Sequence, residues 1–186
     1  MSLATLADLK TYLGIGVGIT TPDAELQRML DMASKVVEQY VDRSLVSAAR
    51  IERRNGYDTD VLMLRDTPIT AVASLMIDTL PVTASDGTTP GYIFQDNSIF
   101  LIGGQVFTRG RKNIYVSYTG GYASNAIPAD IVHSTIEIAA QAYREKEWIG
   151  FQSKTLAGET VAFTRGFLPD SAKIVLDLYR RMYPCD

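Results

Sequence analysis

The chain is poor in the residues that most often carry enzyme chemistry: 186 residues contain one cysteine, Cys185, and one histidine, His133. A single cysteine cannot form an internal disulfide, so no disulfide framework is expected and cytosolic synthesis is the default reading. A zinc site draws on several closely spaced Cys, His or carboxylate ligands, which one histidine and Cys185 do not supply. Charge of one sign is not in excess either. The 18 Lys and Arg face 21 Asp and Glu, a net charge of −3, so a strong non-specific grip on DNA phosphates is not expected. No apolar run approaches the ~18 residues of a membrane helix, and no membrane span is expected. Residues 1–10 include Asp8 and lack the basic start and apolar core of a signal peptide.

What is present is ordinary globular material. Hydrophobic residues make up 46% and charged residues 21%, which excludes a disordered chain. The length suits one domain, or one domain with a sizeable insertion. A chain of this size buries roughly 70% of its unfolded surface without needing a metal or disulfide.

Three zones follow one another. From about Thr5 to Ser44 the pattern is helical. Thr5 and Asp8 make a capping-box-like start, Leu6, Leu9 and Leu13 form a stripe, and Gly14 suits a left-handed stop. A second helix begins near Thr21 as cap, with Pro22 at its first position and Asp23 and Glu25 at the positive end of its dipole. Leu26, Met29, Leu30, Ala33, Val36, Val37, Tyr40 and Val41 recur at three and four, giving one wide apolar face.

From about Ala48 to Tyr118 the period changes to short strands and turns. Val61–Leu64, Val72–Ile77, Tyr92–Gln95, Ser98–Ile102 and Gln105–Thr108 read as strands, with Asp96-Asn97 and Gly103-Gly104 as two-residue turns. Ile114, Val116 and Tyr118 alternate with polar or aromatic neighbours as a further strand. From Ile127 to Tyr183 the chain is helical again with a short break: a stripe through Ile131, Ile138 and Ala142, a possible strand at Val161–Phe163, and a last helix from Pro169.

Few residues invite a chemical reading. His133 sits early in a helix without a convergent nucleophile, and reads as a surface or packing residue. Gly14, Gly16 and Gly18 follow a helix rather than a strand and no GK[ST] comes after, so they read as an interhelical loop. Asp58 and Asp60 read as a solvated turn. Arg50, Glu52, Arg53 and Arg54 read as an exposed strand edge. The densest basic cluster, Arg109, Arg111 and Lys112, falls between two strands and reads as a hairpin tip. It is either merely solvated or projects toward DNA or an acidic partner.

Three stretches resemble one family in order and spacing. The first is LATLADLKTYLGI through VVEQYVDRSL, carrying Asp8-Leu9-Lys10, Asp23, Glu25, Leu26, Glu38, Tyr40 and Arg43. The second is IYVSYTGGYASNAIPADIVHSTIEIAAQAYREKE, carrying Tyr118, Gly120, Gly121, Tyr122, Ile127, Pro128, Tyr143, Arg144 and Glu145. The third ends the chain with Leu176, Tyr179, Arg180 and Arg181. Together they resemble the head–tail connector (head-completion or adaptor) proteins of tailed bacteriophages, in a longer form with a β insertion.

The resemblance implies an α+β fold in one connector domain, 1–186. About four helices form the core, two N-terminal and two C-terminal (5–44 and 127–183), with a small antiparallel sheet inserted at about 48–119. It implies a structural, non-enzymatic virion protein of the neck, assembled in the host bacterial cytoplasm, with no cofactor, metal or catalytic residue. Such proteins form a ring, often dodecameric, that extends the DNA channel after packaging. The implied partners are the portal protein, a stopper or tail-completion protein, further copies of the chain, and double-stranded DNA that passes without specific binding. Candidate interface or DNA-facing residues are Arg109, Arg111, Lys112, Tyr179, Arg180 and Arg181. Two other readings stay open: another tail-completion or neck assembly protein, and a small binding module of unknown ligand.

Overall fold

The computed structural model describes residues 2–16, 18–146, 153–156, 159–162 and 168–180, with backbone alone for the two short strands within 153–162. The chain forms two compact units, Met1–Val41 with Pro128–Arg180, and Asp42–Ile127.

The first unit is built from helices α1 (Leu6–Leu13), α2 (Asp23–Val41), α3 (Ala129–Glu145) and α4 (Asp170–Asp177). Thr5 caps α1: its hydroxyl accepts the Asp8 N–H at 3.2 Å and donates to the Asp8 carboxylate at 2.5 Å. A cap of this kind is worth about 1 kcal/mol. Gly14 ends the helix at φ 72, and its N–H returns to the carbonyls of Lys10 and Thr11. Helix α2 starts at Asp23, one residue later than the proline signal suggests, because Thr21 and Pro22 form a turn in which the Asp23 N–H bonds the Thr20 carbonyl.

Leu26, Leu30, Ala33, Val37 and Val41 are all fully buried along one stripe of α2. That stripe packs mainly against α3, whose Ile131, Ile138 and Ala139 are equally buried, with α1 and α4 completing the cover. Each buried leucine contributes roughly 1.5–3 kcal/mol. Two polar contacts fix the packing. The Lys10 ammonium, 3% exposed, lies 2.6 Å from the Asp23 carboxylate, tying α1 to the first turn of α2. The buried Ser34 hydroxyl donates to Leu30 O and accepts the N–H of Leu3. A short antiparallel hairpin, β8 (Ser153–Leu156) and β9 (Glu159–Ala162), lies between α3 and α4 in the chain. Trp148–Phe151, Phe163, Arg181 and Met182 lie outside the described residues.

The second unit corrects the expected fold class. A helical core carrying one small inserted sheet is not what forms. The chain is mainly β-rich with helices at both ends, and its middle holds two antiparallel sheets. Strands β1 (Ala48–Gly56), β7 (Gly110–Gly120), β3 (Ile69–Ile77) and β4 (Leu80–Val82) lie side by side in that order. Strands β2 (Val61–Met63), β6 (Ser98–Ile102) and β5 (Gly91–Gln95) make the second sheet. The reason is burial. Ile114, Val116 and Tyr118 of β7, Leu75 of β3, Leu62 of β2, and Ile99 and Leu101 of β6 share one hydrophobic core, so a second sheet is needed to cover the first. The expected strand at Gln105–Thr108 is reduced to a single bridge between Thr59 and Phe107.

The edge strand β1 departs from the usual alternation. Register pairs Arg50 with Tyr118, Glu52 with Val116 and Arg54 with Ile114, so the charged residues share the core-facing side. Ile51 points the other way and is 66% exposed. Arg50 and Arg54 are therefore not the fully exposed edge that their charges suggest. The Arg50 guanidinium is 2.9 Å from the Asp66 carboxylate, and that of Arg54 is 2.9 Å from Glu52. The Tyr118 hydroxyl donates to Glu52 and accepts the Asp66 N–H at 3.1 Å. Burial, and then the bond to Glu52, push the Tyr118 phenol above its ordinary value. Inward-pointing charge on an edge strand discourages further strands from adding to the sheet.

Candidate functional site

Among the described residues no group of His, Cys, Asp and Glu is arranged to hold a metal ion. His133 lies exposed on α3, with its ring edge-on to Tyr12 at 5.9 Å. No helix among the described residues is long and apolar enough to cross a membrane. The Asp58 carboxylate, rather than waiting in solvent, accepts the Arg109 N–H at 2.8 Å.

That bond belongs to the first of two surface clusters. Arg109, Arg111 and Lys112 are exposed, but they do not form a hairpin tip. Arg111 and Lys112 belong to the start of the long strand β7, at the end of the sheet where β1 finishes. Side chains from β1 and the β3–β4 turn hold this end in shape. Asn55 accepts the Lys112 N–H at 2.8 Å, and Asn113 accepts the Gly56 N–H at 3.0 Å. The Asn113 amide donates to Asp78 at 3.1 Å and to the Thr108 carbonyl at 2.8 Å. Asp78 also accepts the Thr108 hydroxyl at 2.5 Å, so its carboxylate is already engaged. Asp78 and Thr79 both have positive φ, 49 and 72, and make the two-residue turn between β3 and β4.

Beside this turn, Arg53, Tyr115 and Met76 form one cross-strand row on the outer face of the sheet. With Lys112, Asn113 and Asp78 they line an open groove of about 540 Å³. Its base is the Met76 and Tyr115 side chains. Among the described residues, the side chains of Arg53, Arg109, Arg111 and Lys112 form no ion pair. The groove has four unneutralised cations at its rim or close by.

The second cluster is at α4, in the other unit. Tyr179 donates its hydroxyl to Asp130 at 2.7 Å. Arg180 is exposed and lies over the Tyr40 ring at 5.7 Å, while the Tyr40 hydroxyl donates to Asp177 at 2.8 Å. That hydrogen bond is the chief cause holding the Tyr40 phenol above its usual range. Two large apolar side chains stand on the solvent side of the helix, Ile174 at 71% and Leu178 at 81% exposure. The structure thus separates the candidate residues. Arg109, Arg111 and Lys112 share one end of the sheet, Tyr179 and Arg180 sit after α4, and Arg181 lies outside the described residues. Sequence reasoning missed Arg53 and Met76, which join Lys112 only through long-range strand pairing. Tyr115 was signalled, being out of phase with Ile114 and Val116.

Flat charged rims, an open apolar-based groove and an apolar helix ridge define a protein of contact surfaces. The chain belongs to the head completion protein family, whose model matches residues 2–182. No curated protein sequence matches it. Its fold is similar to that of a chain in the virion of a native gene transfer agent particle, with TM-score 0.63, 19% identity, and 98% of this chain and 91% of that one covered. A chain from the neck of an empty particle of the same kind, computed with C6 symmetry, gives TM-score 0.62 at 18% identity and the same coverage. One from the neck of a native particle, computed with C12 symmetry, gives 0.61 at 18%, covering 96% and 89%.

Proposed function

We propose that this chain is a structural subunit of the phage neck, joining the capsid portal to the tail as one member of a ring that extends the DNA channel. Both units, across residues 1–186, act as one connector subunit. Its neighbours are the portal protein, a stopper or tail-completion protein, and further copies of itself. It works in the virion after assembly in the bacterial cytoplasm, by adhesion and geometry rather than catalysis. The observation that carries this reading is the near-complete coverage, in both directions, of chains from particle necks, with the β-rich middle included. The net charge of −3 suits a conduit through which DNA slides without being gripped. Arg109, Arg111, Lys112, Tyr179, Arg180 and Arg181 are assigned to contacts with neighbouring subunits.

Deleting the gene tests the role. DNA-filled heads without tails are expected by electron microscopy, restored to tailed particles by the gene in trans. Normal tailed, infectious particles from the deletion strain would remove the proposal.

A further inference from the structure

We infer that the exposed face of α4 of one copy docks into the basic, apolar-based groove on the sheet of the next copy, making a head-to-tail contact. The inference rests on the ring reading above and adds the surfaces that build the ring. A closed ring of identical subunits needs a heterologous contact, one patch against a different patch. The chain presents two such patches, and neither is explained by its own packing.

The first is a ridge. The solvent side of α4 runs Asp170, Ile174, Asp177, Leu178, with the two apolar side chains at 71% and 81% exposure between and beside the carboxylates. Asp170 pairs with Lys173 at 3.0 Å yet stays 93% exposed, so its charge remains available. The second is the groove. Met76 and Tyr115 make its base, Arg53 and Lys112 its cationic sides, and its single carboxylate, Asp78, is taken up by Thr108 and Asn113. An amphipathic helix laid into a groove is recognised by apolar side chains at i and i+4, the spacing of Ile174 and Leu178. Its flanking carboxylates meet the two cations. Apolar surface and charge match on both sides, and about 540 Å³ leaves room for both side chains. DNA fits the groove less well, since its apolar base offers nothing to a phosphate.

Disulfide trapping tests the contact. In a Cys185→Ser background, Leu178→Cys and Met76→Cys are combined in one chain and assembled on purified portal. A ladder of reducible oligomers is expected, and an equal mixture of the two single-cysteine chains should give reducible dimers only. Leu178→Asp should lower ring occupancy at least tenfold at a fixed concentration with an unchanged circular dichroism spectrum. Rings of normal size without cross-links, or either single variant dimerising alone, would overturn this contact and leave the ring reading standing. A wild-type chain that never forms a ring on portal would remove the ring reading itself.

Discussion

Replacing Asp66 by alanine lowers the stability of the β-rich unit by about 3 kcal/mol, the largest single effect expected outside its apolar core. Asp66 is 8% exposed. Its two carboxylate oxygens serve the Arg50 guanidinium and the Ser44 N–H, each at 2.9 Å. Removing the carboxylate strands a partly buried guanidinium and a backbone donor together. The effect falls at the low end of the range for broken buried pairs because the Arg50 side chain keeps 33% of its exposure. Urea denaturation followed by tyrosine fluorescence measures it. Asp66→Asn retains an acceptor for Ser44 and should cost about half as much. Equal losses for the two variants would show that the charge pair contributes nothing.

Gly56→Ala should cost about 3 kcal/mol and, unlike the first change, should disturb the basic end of the sheet. A Cβ at Gly56 would stand 1.8 Å from the Thr108 carbonyl oxygen, a backbone atom that cannot rotate away. The strain is released only by moving β1 from the segment that leads into Arg109. The bond from Gly56 N–H to Asn113 would open, and with it the bond from Asn113 to Asp78. Thermal unfolding gives the stability loss, and amide chemical shifts of Lys112 and Asn113 report the local change. A variant with native shifts there and an unchanged Tm would contradict the close approach.

Local chemistry in this chain was readable without a structure, and long-range pairing was not. The Thr5–Asp8 cap, the Gly14 stop and the apolar stripe of α2 each depend on residues within a turn or two of one another. The Asp96-Asn97 turn is local in the same sense. The division into two sheets depends on β1 pairing with β7, from Ala48 opposite Gly120 to Gly56 opposite Gly110. No short pattern announces such a partner. Strand alternation in Arg50–Arg54 separated two faces but not their direction, and the charged face turned inward because Asp66, Glu52 and Tyr118 satisfy it. The basic cluster at Arg109–Lys112 was visible as charge. Its shape was not, because Arg53, Met76 and Tyr115 come from three strands and meet only in the folded sheet.

The ring is the central claim, and the mass of the chain assembled on portal tests it most directly. Purified portal mixed with an excess of this protein, measured by native mass spectrometry, should gain one defined increment equal to a whole ring of 20.4 kDa subunits. Portal that gains no mass, or gains a broad and unsaturated spread of copies, would contradict it.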